Sequence, residues 1–223
     1  MTPLSETPVA AQAAFAMLLP RAGLADAPRI ARALARFLEV PIHDAAVRAR
    51  RSCGIVAEGL SEERAKALAR HLGEESVGGW VLRGDALATV PAAEPLKGLE
   101  LFAAGVRPAL DGGVGELIAR RSIRLVAAAS IGRARVLDVL VDFPFRRLRV
   151  TAEHFDFRCL GERMNLDARN NLRELAGSLC ALSPSALRGR GTEALLADRR
   201  AEPLSYDAVE DLEREERWLL TIA

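Results

Sequence analysis

The run from Ala13 to Pro20 limits most strongly how this chain can fold. It reads Ala-Ala-Phe-Ala-Met-Leu-Leu-Pro, continuously apolar up to a terminal proline. Such a run is typical of a strand that is buried on both faces, because a strand with one wet face alternates apolar and polar residues. The sequence therefore predicts that the chain opens with a core strand covered on both sides.

The following residues carry alternating helix and strand signals. Asp26 is predicted to cap a helix that has Pro28 near its first turn and ends before Pro41. The later signals are, in order, a helix from 41 or 42 to about 51, a strand at 55–59, a helix capped by Ser61, and a strand at 80–82. The predicted order is β-α-α-β-α-β.

Two short motifs in this segment resemble a known family. They are Gly59-Leu-Ser-Glu62 and Ala65-Lys-Ala-Leu68. With the order of elements, they make residues 13–83 similar to the C-terminal domain of the bacterial ribosomal stalk protein. The resemblance implies that fold and a docking role, since the family recruits translational GTPases through a lysine-rich face on its first two helices. Between those helices this chain reads Glu39-Val-Pro-Ile-His43, where the family has a Gly-Leu-Gly-Leu turn.

Residues 85–96 are predicted to be a linker, because Pro91 and Pro95 stand there among alanines. The linker divides the chain into a stalk-protein-like α/β domain at 1–84 and a β-rich domain at 97–223. The second domain shows strand-like runs at 99–103, 123–127, 136–142 and 148–151. The fold class predicted for the whole chain is α+β.

The second domain is predicted to be antiparallel and barrel-like, because turn signals separate its strands. A helix capped by Asn165 follows and ends near Ser183. Strands closed by one helix resemble a pleckstrin-homology-like barrel, and a split α+β sheet is the alternative. A last helix is predicted from Tyr206 to Leu220, with Trp218 packed on the core of this second domain.

Composition narrows the classes of function. The chain has 31 basic and 30 acidic side chains, so no overall charge draws it to nucleic acid or to an anionic membrane. Its three cysteines, at 53, 159 and 180, form no CxxC pair and indicate neither a disulfide framework nor a zinc site. Without a stretch long enough to span a bilayer, the chain is predicted to be cytoplasmic.

Residues capable of catalysis or metal binding are sparse. His154 and Asp156 stand two apart, but the other two histidines lie in the first domain, so no metal site is predicted. Cys159 has cationic neighbours in sequence but no base and orienting group in a recognisable order. We therefore expect no catalytic residue, no metal and no cofactor.

Three arginines on the first helix are the leading binding candidates. Arg29, Arg32 and Arg36 recur on the side opposite the apolar stripe and are predicted to form an exposed basic ridge. The resembling family docks its partners through the corresponding helix. The leading hypothesis is therefore a non-enzymatic adaptor that uses this ridge to bind an acidic surface of a partner protein.

Two alternatives stay open at this point. Arg146, Arg147 and Arg149 open a predicted strand and could bind the phosphates of a nucleic acid or an anionic lipid. The other alternative is a small enzyme that uses the thiol of Cys159 with His154. The sequence leaves open the partner's identity, the pathway and whether the chain forms a homo-oligomer.

Overall fold

In the computed structural model, which describes residues 14–21, 24–198 and 204–223, the N-terminal part has the predicted β-α-α-β-α-β order. Its elements are β1 (Phe15–Leu18), α1 (Ala27–Leu38), α2 (Ile42–Arg50), β2 (Ile55–Leu60), α3 (Glu62–Glu74) and β3 (Trp80–Arg83). The three strands form an antiparallel sheet with the order β2-β1-β3. We call residues 14–84 the N-terminal region.

The central strand β1 is covered on both faces, as predicted. Met17 and the following Leu19 pack into the core formed with α1, α2 and α3. Ala16 and Leu18 point the other way, into a cluster supplied mainly by the C-terminal part of the chain. The continuous apolar run thus reflects two different cores on either side of one strand.

The helix boundaries follow from local signals. A proline stands in the first turn of α1, and Glu39 ends the helix in a left-handed conformation at φ 54°. The Ser61 hydroxyl accepts a hydrogen bond from the backbone N–H of Arg64 at 3.3 Å, which confirms its predicted role as the cap of α3. These boundaries orient the buried stripe of α1, which includes Ile30 and Leu34, onto the sheet.

The C-terminal region, residues 85–223, contains mixed sheets and, among its described residues, three α-helices. Its strands are β4 (Ala93–Leu96), β5 (Gly98–Phe102), β6 (Gly105–Leu110), β7 (Gly113–Val114), β8 (Ile118–Ala119), β9 (Ile123–Ile131), β10 (Ala134–Val141), β11 (Arg146–Thr151), β12 (Leu187–Arg188) and β13 (Ser205–Tyr206). Its helices are α4 (Ala168–Leu182), α5 (Arg190–Leu196) and α6 (Val209–Ile222).

The described strands of this region form two sheets and no closed barrel, so the barrel-like expectation is wrong. One sheet has the order β12-β9-β10-β11-β4 with β13 also on β9, and the smaller one has β5-β6-β7 with β8 on β6. The region is not purely antiparallel either, since β4, β12 and β13 pair in parallel with their neighbours. These three strands have two to four residues, too few for a sequence pattern to reveal the direction of pairing.

Two local expectations are also corrected. Ala93–Leu96, inside the segment predicted to be a linker, forms strand β4 beside β11. Asp167 rather than Asn165 caps α4, because its carboxylate accepts a hydrogen bond from the backbone N–H of Arg169 at 3.0 Å. Asn165 instead exchanges hydrogen bonds with Asn171, whose side chain is buried.

Trp218 on α6 lies in one cluster with core residues of the second domain such as Leu125 and Leu140, as predicted, and it also joins the two regions. Its indole N–H donates a hydrogen bond to the backbone carbonyl of Leu19 at 2.8 Å. Its ring lies against Gly54, where an added Cβ would stand 2.3 Å from the ring carbon Cγ. Gly54 also has φ +93°, so both its backbone conformation and the contact require glycine.

We predict that Gly54→Ala destabilises the protein far more than Gly59→Ala. Both glycines have positive φ, which costs an alanine roughly 1–2 kcal/mol. A Cβ at Gly59 meets no atom within 4 Å, whereas one at Gly54 displaces Trp218 and adds about 1–3 kcal/mol. Urea unfolding of both variants measures the difference in the free energy of unfolding. Equal losses would contradict the packing of Trp218 on Gly54.

Candidate binding cleft

The predicted basic ridge on α1 lies beside the end of α3. Arg32 Nε donates to Glu75 at 2.7 Å, and Arg36 also bonds Glu75 and approaches Glu74 at 3.6 Å. Arg29 Nη1 lies 3.9 Å from Asp26 Oδ1, on the residue that precedes α1. About half of each arginine side chain is exposed. The ridge is therefore accessible, with its charge partly balanced within the chain, and its role in partner binding stays a prediction.

The second predicted set is engaged by carboxylates within the chain. Arg146 pairs with Glu94 on β4, and Arg149 pairs with Asp138 on β10. Arg147 is 3 % exposed, and its guanidinium contacts two acidic side chains of α6. The three arginines start the same strand, as predicted, but Arg147 points into the interior.

Arg147 belongs to a buried ionic cluster under α6. Glu216 and Asp138 are both fully buried, and Arg147 donates to Glu216 at 3.1 Å and to Glu213 at 2.6 Å. Burial, with the neighbouring carboxylate of Asp138, raises the pKa of Glu216 well above its usual range. Glu216 Oε1 has no hydrogen-bond partner in the described part of the chain, and a proton there makes it a donor facing Asp138.

A cleft of about 640 Å³ opens where α1 and α2 meet the N-terminal end of α6 and strand β13. This volume lies within the range of small-ligand and peptide side-chain pockets. One wall is apolar and comes from the two helices and the turn before α1: Leu24, Ala27, Pro28, Ala31, Ile42 and Ala46. The rest of the lining is largely polar and comes from both regions: Arg32, Arg50, Arg51, Cys53, Arg190, Ser205, Tyr206, Asp207 and Asp211.

The polar wall rests on a buried network around Glu215. This carboxylate accepts hydrogen bonds from the Tyr206 hydroxyl, from the backbone N–H of Arg190 at 2.6 Å and from Arg190 Nε at 3.2 Å. The Arg190 guanidinium also stacks 4.3 Å from the centre of the Tyr206 ring. Burial raises the pKa of Glu215, and the bonds from Tyr206 and Arg190 oppose that rise. Arg190 is thereby fixed in place at the cleft.

The thiols do not provide a nucleophile. Burial raises the pKa of Cys53 to about 12, although Arg190 Nη2 lies 3.8 Å from its sulfur. Burial likewise raises the pKa of Cys159 to about 11. Both groups are therefore neutral thiols near pH 7, whereas the reactive form of cysteine is the thiolate. The arrangement around the cleft can bind a ligand, but it contains no activated thiol.

Arg50, Arg51 and Arg190 were not predicted to be members of one site. A signal existed for the first two, because α2 ends in the basic run Arg48-Ala-Arg-Arg51. The signal for Arg190 was the run Arg188-Gly-Arg-Gly191 at the start of a helix. Only the fold places these two segments together.

Comparison with known proteins adds no assignment: no family model, characterised protein or solved structure matches this chain. Within residues 14–21, 24–198 and 204–223, no three His, Cys, Asp or Glu side chains are arranged to hold a metal ion. No helix in those segments is long and apolar enough to cross a bilayer. The cleft is the feature from which a function can be argued.

We predict that the wild-type protein becomes less stable as the pH rises, because of Glu216, and that Glu216→Gln removes this loss of stability. Glu216 has a raised pKa when folded, so the folded state holds a proton that the unfolded state loses above its ordinary pKa of 4.5. Stability falls from that pH up to the folded pKa, by at most about 1.4 kcal/mol per pH unit. The glutamine keeps a neutral side chain at this position, so the variant has a flatter profile.

Urea unfolding between pH 5 and pH 8 measures both profiles. Glu116→Gln, at an exposed position, is the control and is expected to keep the wild-type slope. A Glu216→Gln variant with the same slope as the wild type would show that Glu216 is ionised in the folded protein throughout this range.

Proposed function

We propose that this chain is a non-catalytic adaptor that binds a segment of a partner protein in the cleft between α1, α2 and α6. The observation that supports the proposal most directly is the accessible apolar wall of this cleft. Ile42 on that wall is 53 % exposed, although it is a large aliphatic side chain. Burying such surface against a partner is a main source of affinity in protein complexes.

The chemistry of the occupant follows from the opposite wall. Four arginines line the cleft, against the two carboxylates of Asp207 and Asp211. An acidic segment with apolar side chains complements both walls. The proposal keeps Arg32 of the predicted ridge as a binding residue and moves the centre of the site from the outer face of α1 into the cleft.

The resemblance to the ribosomal stalk domain gives independent support for a docking role. That family binds partners through its first two helices, and α1 and α2 form the apolar wall here. We do not extend the proposal to translational GTPases, because the chain lacks the family's lysines on those helices. The partner we propose is defined by its acidic and apolar side chains alone.

A site-specific crosslink tests the proposal. We expect p-benzoylphenylalanine at position 42, irradiated in the native host, to form one covalent adduct with a partner protein. Ala46→Arg, which places a long charged side chain in the cleft, is expected to reduce that adduct at least tenfold, since it blocks the apolar wall. The readout is the yield of the adduct on a gel, followed by mass spectrometry.

Two controls make the result specific. Ala67→Arg introduces the same charge on α3, outside the cleft, and is expected to leave the adduct unchanged. The photoreactive residue at Leu166, which is fully exposed in a loop, reports random encounters. The same adduct from position 166, or an adduct that persists in Ala46→Arg, would refute the cleft as the docking site.

A further inference from the structure

Three of the arginines that line the cleft share one arrangement. In each, a carboxylate behind the side chain accepts a hydrogen bond from Nε: Glu75 from Arg32 at 2.7 Å, Asp211 from Arg51 at 3.0 Å, and Glu215 from Arg190 at 3.2 Å. Asp211 and Glu215 are each 1 % exposed. The carboxylates therefore act as fixed supports that hold the guanidinium groups in place.

Taken together, the terminal nitrogens of these arginines, Nη1 and Nη2, donate fewer hydrogen bonds within the described part of the chain than Nε does. Arg32 and Arg51 donate no hydrogen bond from Nη1 or Nη2 to any residue that the structure describes. Arg190 Nη2 contacts the Cys53 sulfur at 3.8 Å and the Ser205 carbonyl at 3.4 Å, both of which are long contacts. A guanidinium held at Nε offers its Nη nitrogens to an incoming anion, and a fixed one loses less conformational entropy on binding.

Arg50 is a cleft arginine without an ion-pair partner among the described residues, and the exposed carboxylate of Asp207 at the same cleft likewise has none. Arg50 is exposed at the end of α2. Arg51, its neighbour, is balanced by Asp211, which also accepts a bond from Arg214. A positive charge without a partner beside an apolar wall favours a ligand whose anionic group is attached to an apolar body.

We infer that the cleft is an anion-selective receptor, in which Arg50 and the Nη groups of Arg51 and Arg190 bind a carboxylate carried by the apolar segment of the partner. This inference rests on the proposed function, because it specifies what the docked segment must present. The apolar wall supplies affinity for the body of the ligand. The arginines give an acidic ligand a higher affinity than a neutral ligand of the same shape.

Two fluorescent probes separate these contributions. 8-Anilinonaphthalene-1-sulfonate carries an anion on an apolar ring system, and N-phenyl-1-naphthylamine has the same rings without the charge. We expect the purified full-length protein to bind the sulfonate at least about tenfold more tightly, as charge-assisted hydrogen bonds allow. Fluorescence titration at low ionic strength measures both dissociation constants, and Ala46→Phe, which fills the cleft, is expected to abolish binding of both probes.

The decisive variant is Arg50→Gln, with Arg48→Gln as its matched control. Both arginines are exposed on α2, but Arg48 does not line the cleft. Arg50→Gln is expected to weaken sulfonate binding roughly three- to tenfold and leave the neutral probe unchanged, whereas Arg48→Gln changes neither. Circular dichroism melting curves confirm that each variant is folded.

Each outcome has a distinct meaning. Equal affinity of the wild type for the two probes, or equal effects of Arg50→Gln and Arg48→Gln, overturns anion selectivity. If anion selectivity is overturned but Ala46→Phe still abolishes binding of the probes, the cleft remains the docking site of the proposed function, and only its preference for an acidic ligand is lost. Failure of the wild type to bind either probe, or binding that Ala46→Phe leaves intact, overturns the cleft as a receptor altogether.

Discussion

The structure depends on three buried acidic side chains of α6 and the arginines that form hydrogen bonds with them. Asp211, Glu215 and Glu216 are each at most 1 % exposed. Their arginine partners come from three separate elements: Arg51 follows α2, Arg190 begins α5, and Arg147 lies on β11. A buried charge without its partner costs several kcal/mol, so α6 is restricted to the position in which all three pairs form. The Trp218 contact with Gly54 and Leu19 fixes the same position through packing and a backbone hydrogen bond.

This position of α6 creates the cleft. One wall belongs to the N-terminal helices, and the other is built on residues that α6 holds, since Asp211 supports Arg51 and Glu215 supports Arg190. The buried acidic residues thus have a structural task and, at the same time, orient cationic groups toward an open apolar surface. The neutral thiol of Cys53 beside them adds no reactive group. The proposed binding role of the cleft therefore depends on the same interactions that join the two regions.

The sequence predicted the secondary-structure elements more accurately than it predicted how those elements pair and pack. The run at Ala13–Pro20 correctly indicated a strand with two covered faces, and the Ser61 cap was identified from its residue type and position. The apolar run could not indicate that the residues covering one face of β1 lie more than a hundred positions away in the chain. The short strands also carried no pattern that indicates the parallel pairing of β4, β12 and β13. Residue spacing alone does not identify the ion pairs of α6: Arg214 pairs with Asp211 rather than with Glu210, and Arg217 pairs with Glu58 on β2 rather than with Glu213. The cleft escaped prediction because its walls meet only through these long-range pairs.

Native-state hydrogen exchange at increasing concentrations of denaturant tests most directly whether α6 joins the chain into one cooperative unit. The amides of β1 and β2 are expected to open with the same free energy as those of β9 and β10, because the Trp218 contact and the Arg51–Asp211 pair must break for either region to unfold. Exchange of β1 and β2 at a clearly lower free energy, while β9 and β10 stay protected, would contradict this expectation. In that case the two regions would unfold separately, and the cleft between them would not be a permanent feature of the folded protein.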